Sequence, residues 1–259
     1  MGMNTKKALT ELNNIMDLYE GVLRKKLPVK PKKIDFSQEK VKEKAKDTAV
    51  KKEERHVHST LNTIPEDFSQ MSLEKLGAYV NSCTRCSLCS QRTHAVFGEG
   101  CAIHPKVMVI GEGPGEKEDL TGRPFVGPAG EYLDKWLKAI GLSRETNTYI
   151  ANVVKCRPPQ NRDPEMGEKE ACKVFLYQQI ALIMPTAILC VGKPASTLLT
   201  GLEDSTMASL RGKLFLFDSS IPVICTYHPA AVLRNMELKR PVWEDLKRLS
   251  SIINPQIRG

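Results

Sequence analysis

Residues 106–130 read KVMVIGEGPGEKEDLTGRPFVGPAG, an apolar run followed at once by a loop that contains six glycines. The run is typical of a buried strand. Three more runs of this kind occur later in the chain, and helical patterns separate them. Strands that alternate with helices predict an α/β fold, a mostly parallel sheet covered on both faces. The predicted strands are 106–111, 148–154, 186–192 and 221–228, and the predicted helices are 72–83, 128–141, 165–183, 193–201 and 240–253.

Conspicuous loops follow three of the four predicted strands. Their sequences are EGPGEKED, KCRPPQNRDP and HPAAVLRN, and none of them looks like a plain connector. In sheets of this class, ligands gather at the carboxyl ends of the strands. We therefore expect the functional residues of the chain in these loops.

The glycine-rich loop does not match the usual phosphate-binding patterns. Its spacing is G-x-G-x-G, which is neither a dinucleotide fingerprint nor a Walker A loop. Its acidic residues, Glu112 and Glu118 among them, would repel a phosphate. A neutral ligand approached closely by bare backbone fits better, and a nucleobase stacked on Phe125 would be such a ligand. Ordinary turns around a core phenylalanine remain the alternative.

Two polar residues near strand ends are candidates for base recognition. The amide of Asn152 can pair with N3–H and O4 of uracil, and it meets the wrong pattern on cytosine. His228 stands between a strand and Pro229, where it could stabilise negative charge that develops on a base oxygen. The alternatives are a turn or cap role for Asn152 and a backbone cap for His228.

Four of the eight cysteines form two separated pairs that could make a four-thiolate site. Cys83 and Cys86 have the tight C-x2-C spacing, whereas Cys156 and Cys172 are farther apart. The wide second pair departs from a zinc ribbon, so an iron–sulfur cluster is favoured and zinc stays open. Of the remaining cysteines, we predict core positions for Cys190 and Cys225 and leave Cys89 and Cys101 without a role.

Charge and composition describe a basic chain of 259 residues with ordinary globular content. The formal net charge is +8 and the pI is about 9.0. A polyanionic partner such as nucleic acid would fit, as would a plain solvated basic surface. No stretch reaches the roughly 18 apolar residues of a membrane span, and no secretory signal is evident. We expect a cytoplasmic protein that does not contact a membrane.

The chain is expected to have three parts. Residues 1–27 have the spacing of an amphipathic helix, which could bind a protein partner or the body. Residues 28–63 are highly charged with few large apolar groups, which predicts a flexible linker. Residues 64–259 form the folded domain.

The motifs CTRC, GEGPGEKEDLTGRPFVGPAG, NVVKCRPPQNRDP and HPAAVLR together resemble the family 4 uracil-DNA glycosylases, the iron–sulfur enzymes of their superfamily. The resemblance covers residues 74–253. It implies an α/β/α sandwich around a four-stranded, mostly parallel sheet. It also implies a monomer that flips uracil out of DNA and hydrolyses its N-glycosidic bond, leaving an abasic site.

The resemblance assigns roles to individual residues of this chain. Those that would bind a structural [4Fe-4S] cluster are Cys83, Cys86, Cys156 and Cys172. Those that would enclose, stack on or read the base are Gly111, Glu112, Gly113, Phe125, Asn152 and His228. Those expected to assist catalysis are His228, Glu112 and Glu118. Those expected to contact DNA are Arg157, Arg162, Ala231, Val232, Leu233 and Arg234.

The first motif departs from that of the best-known uracil glycosylases. Those enzymes have aspartate and tyrosine where this chain has Gly113 and Gly115. The group that activates water is therefore open, with Glu112 and Glu118 as candidates, and thymine must be excluded by Glu118 or by the loop backbone. Two other functions remain: release of other deaminated bases, and DNA binding by a module without catalysis.

Overall fold

The structure is a computed structural model that describes Phe68 and residues 70–254. The predicted N-terminal helix and the predicted linker lie outside the described residues. Six strands form one sheet in the order β1-β3-β2-β4-β6-β5. The strands are β1 (Glu99–Gly100), β2 (Val107–Gly111), β3 (Thr148–Asn152), β4 (Ala187–Val191), β5 (Phe215–Phe217) and β6 (Ile221–Thr226).

The four inner strands are parallel, and they are the four strands that the sequence predicts. The structure adds β1 and β5, which pair antiparallel with the edges of this inner sheet. With two and three residues, these edge strands are too short to show a hydrophobic period. The α/β prediction is confirmed, and the sheet has two strands more than expected.

Eight helices connect and cover the sheet in the part of the chain that the structure describes. None of them is long and apolar enough to cross a membrane. They are α1 (Leu73–Asn81), α2 (Glu116–Thr121), α3 (Pro128–Ala139), α4 (Met166–Ile183), α5 (Lys193–Thr200), α6 (Met207–Leu210), α7 (Pro229–Arg234) and α8 (Lys239–Ile253). The glycine-rich segment, predicted as a loop, becomes helical at Glu116, so that prediction is wrong for α2.

Alternate side chains of β2 pack into two different hydrophobic cores. Val107 and Val109 pack with α3 and α8, whereas Met108 and Ile110 pack with α1, α4 and α5. Because successive side chains of a strand point to opposite faces, the sheet lies between two layers of helices. The α/β/α sandwich follows from this packing. Cys190 and Cys225 are register partners on β4 and β6 and are fully buried, as predicted.

Candidate active site

The ends of β2 and β3 bring Gly111 and Asn152 side by side as register partners. Asn152 is 1% exposed, and its Oδ1 has no hydrogen-bond partner. A Cβ atom on Gly111 would lie 2.5 Å from that oxygen and 2.6 Å from Cζ of Phe125. Buried acceptors are almost always satisfied in folded proteins, so this one indicates a place for a donor on a ligand.

Phe125 lies beside the same glycine with its backbone in the left-handed region, at a φ of 53°. Its ring faces the ring of His228, with centroids 5.7 Å apart and planes inclined by 34°. A β-region or helical φ would be the normal choice for a core phenylalanine. The strained backbone and the polar neighbours favour a pocket wall over an ordinary core position.

Arg144 holds the Phe125 segment in this conformation. Its guanidinium donates to the carbonyl oxygens of Pro124 at 3.1 Å and Phe125 at 3.0 Å. It also forms ion pairs with Glu99 and Asp134, each at 2.8 Å. Sequence reasoning missed Arg144, because it follows α3 in a loop and carries no motif.

His228 caps the N-terminus of α7, and its Nδ1 accepts a hydrogen bond from the Ala230 amide at 3.2 Å. Burial, and to a lesser degree the charge of Arg234, lower the pKa of His228 to about 4. The imidazole is therefore neutral near pH 7. Since Nδ1 accepts, the proton sits on Nε2, which leaves that nitrogen as a donor.

The two candidate carboxylates have different environments. Glu118 Oε1 accepts hydrogen bonds from the amides of Val126 and Gly127, at 2.8 and 2.9 Å. Glu112 is partly buried, and its Oε1 has no partner. Burial, and then the carboxylate of Asp163, raise the pKa of Glu112 to about 7. Glu118 thus anchors the loop that carries Phe125, whereas Glu112 has one carboxylate oxygen without a hydrogen-bond partner.

The remaining glycine of the predicted base loop, Gly113, lies against Val154. A Cβ atom there would come 2.8 Å from a Val154 methyl group. The backbone of the loop is pinned to the segment after β3, since the Val154 amide donates to the Glu112 carbonyl oxygen at 3.0 Å. The loop and the strand end that carries Asn152 are therefore held together.

The four cysteines predicted as ligands line one opening between the C-terminal end of α1 and the N-terminal half of α4. Arg92 donates to Cys156 Sγ at 3.2 Å, and the Lys155 amide donates to Cys172 Sγ at 3.3 Å. Such donors suit thiolate sulfurs. Cys89 lines the same opening, whereas Cys101 does not. Within residues 70–254, no three His, Cys, Asp or Glu side chains could hold a single metal ion.

The four predicted DNA-contacting residues of α7 differ in exposure. Leu233 is 44% exposed, and Arg234 beside it is exposed as well, while Ala231 is half-buried. Val232 is 0% exposed and belongs to the core formed with α3 and α8, so its side chain is not presented to DNA, and its predicted DNA contact stays a prediction. Its side chain points inward because α7 packs that face against the body.

The two arginines of the loop after β3 are engaged in ion pairs. Arg162 binds both oxygens of the buried Glu168 carboxylate, at 2.7 and 2.8 Å. Arg157 lies 3.7 Å from Glu116 and donates to Asn161. Their predicted contacts with DNA stay predictions, and the pairing with Glu168 gives Arg162 a role in holding the loop against α4.

The fold is that of the uracil-DNA glycosylase superfamily, whose family model, described as "Uracil DNA glycosylase superfamily", matches residues 97–247. Type-4 uracil-DNA glycosylase of Sulfurisphaera tokodaii is 44% identical over 190 residues, 70% of this chain and 84% of the relative. The type-4 protein of Thermotoga maritima is 41% identical over 71% of this chain and 96% of its own. The type-4 protein of Archaeoglobus fulgidus is 38% identical over 70% of this chain and 93% of its own length. The chain belongs to the type-4 uracil-DNA glycosylases.

Proposed function

We propose that this protein removes uracil from DNA by hydrolysing the N-glycosidic bond, which leaves an abasic site and free uracil. The observation that carries the proposal is the unpartnered amide oxygen of Asn152 beneath Gly111. Uracil presents an N3–H donor next to the O4 acceptor, which matches the acceptor and donor of one amide. Cytosine presents the opposite pattern, so it would leave buried groups unpaired.

Access to the bond requires that the nucleotide leave the base stack. Flipping costs about a few kcal/mol, and least where pairing is already weak. Stacking of the base on Phe125 offsets part of that cost. Leu233 and Arg234, which are exposed on α7, are proposed to fill the space that the nucleotide vacates.

Bond cleavage leaves negative charge on the departing uracil and positive charge on the sugar. His228 stabilises the negative charge on uracil with a neutral imidazole, whose Nε2–H donates a hydrogen bond to the base oxygen. A neutral donor already in place needs no reorganisation as the charge develops. Glu112 is proposed to orient the attacking water, because its pKa of about 7 allows it to accept a proton at working pH.

Glu118 is proposed to exclude thymine rather than to act as a base. Its Oε1 is occupied by two loop amides. Its Oε2 would lie 2.8 Å from a Cβ atom on Gly115, so the carboxylate fills the space that a side chain at 115 would take. A fixed carboxylate in that place leaves less room for the methyl group of thymine.

The cysteines that line the shared opening fit a [4Fe-4S] cluster. Such a cluster spaces its four sulfur ligands more widely than a single ion does, and it favours hydrogen bonds to sulfur of the kind made by Arg92 and Lys155. Bound there, it would supply a covalent link between three chain segments. The expected ligands are Cys83, Cys86, Cys156 and Cys172.

The test is alkali cleavage of a labelled oligonucleotide with one uracil after incubation with the purified full chain. We expect cleavage at the uracil and none in a matched duplex with thymine. An Asn152→Ala variant should retain the fold and lose cleavage. Binding of the uracil duplex without any cleavage by a brown, cluster-containing sample would overturn the proposal in favour of a binding module.

A further inference from the structure

Lys155 is a buried lysine for which the proposed reaction has no use. Its side chain is 1% exposed. Nζ donates to the carbonyl oxygen of Asn152 at 2.8 Å and to Oε1 of Gln179 at 2.6 Å. Both acceptors are neutral, and burying an ammonium group without a counter-charge costs several kcal/mol. The buried ammonium of Lys155 is therefore expected to have a negatively charged group nearby.

The other end of the same residue belongs to the cysteine opening. The Lys155 amide donates to Cys172 Sγ at 3.3 Å, and the next residue in the chain is Cys156. The lysine lines the opening together with these cysteines. Lys155 thus contacts Asn152, which carries the base-reading amide, through Nζ and Cys172 Sγ through its own backbone amide.

A four-iron cluster bound by four thiolates carries net negative charge. A buried cation at its edge offsets that charge, and such outer contacts tune both the stability and the reduction potential of a bound cluster. Arg85 and Arg92 line the opening as well, and Lys155 is the fully buried cation among the three. Its ammonium is anchored to Asn152, so the two sites share one side chain.

We propose that Lys155 is a positioning residue that couples the cluster to the uracil pocket. Its ammonium balances the charge of the cluster, and its hydrogen bond to the Asn152 carbonyl oxygen holds that residue so that the side-chain amide faces the base. The inference rests on the proposed function, since it needs both the cluster and uracil recognition. It adds that a change at the cluster edge alters base recognition.

The experiment compares the full, cluster-containing chain with its Lys155→Met variant, which keeps the length of the side chain and removes the charge. The midpoint reduction potential of the cluster should fall, because loss of a nearby positive charge disfavours the more negative reduced state. KM for the uracil duplex should rise about tenfold or more, with a smaller change in kcat. Voltammetry and steady-state kinetics measure the two effects separately.

Lys138→Met is the matched control, because Lys138 is exposed in the last turn of α3. This variant should change neither the midpoint reduction potential of the cluster nor KM for the uracil duplex. An unchanged potential in Lys155→Met would overturn the charge-balancing role, and an unchanged KM would overturn the coupling. Failure of the proposed function would be seen independently, as an inactive or colourless wild-type sample.

A second variant covers the case in which Lys155→Met does not fold. Lys155→Gln removes the charge and keeps a hydrogen-bond donor. It should lower the potential while leaving KM closer to the wild-type value. If neither variant folds with a cluster, the lysine serves the fold as a whole, and the proposed positioning role is overturned.

Discussion

Replacing Gly111 by alanine should close the base pocket and leave the rest of the fold in place. The new Cβ atom would lie 2.5 Å from Asn152 Oδ1 and 2.6 Å from Phe125 Cζ, whereas ordinary contacts begin at 3.4 Å. One or both side chains must therefore move by roughly 0.9 Å, at a cost of about 1–3 kcal/mol in stability. A misplacement of about 1 Å in a catalytic site can lower the rate by about 100-fold. We expect a loss of that size in kcat/KM for uracil release.

Single-turnover release of uracil from a labelled oligonucleotide measures the effect, and urea denaturation measures the change in stability. Gly167→Ala is the control, because a Cβ atom in that first turn of α4 meets nothing within 4 Å. It should release uracil at the wild-type rate. If Gly111→Ala did so too, Gly111, Asn152 and Phe125 would not surround the base, and the reasoning would be refuted.

Three other predictions follow from groups around the pocket and the cysteine opening. The raised pKa of Glu112 means that its stabilising contribution is present below about pH 4.5 and is lost as the pH rises through about 7. Glu112→Gln should therefore raise the free energy of unfolding more at pH 8 than at pH 5, and equal gains in urea denaturation would contradict this. Arg144→Met should lower the free energy of unfolding by about 2–4 kcal/mol and raise KM for uracil, because the Phe125 segment loses its anchor. An unchanged KM would exclude the anchoring role. Cys172→Ser should abolish visible absorption and lower Tm, because binding of the cluster contributes to folding, and a brown variant would show that Cys172 is no ligand.

The inner sheet could be predicted because buried parallel strands are continuous apolar runs. β2 and β4 each lie within one residue of the predicted bounds at both ends. β1 and β5 could not be predicted, since they exist only because main-chain groups at the sheet edges find a partner. α2 was missed for a different reason: EKEDLT has almost no apolar residues to show a helical period.

Sequence alone determined which residue types stand at the strand ends: an asparagine at the end of β3, a histidine before α7, and cysteines with a cluster spacing. These features are local, so the order of residues is sufficient to reveal them. Tertiary structure decided how each group is used. It engaged Glu118 with the amides of Val126 and Gly127, left Glu112 with a free oxygen, and buried Val232 and Lys155. Burial and long-range hydrogen bonds depend on segments far apart in the chain, and only the folded packing brings those segments together.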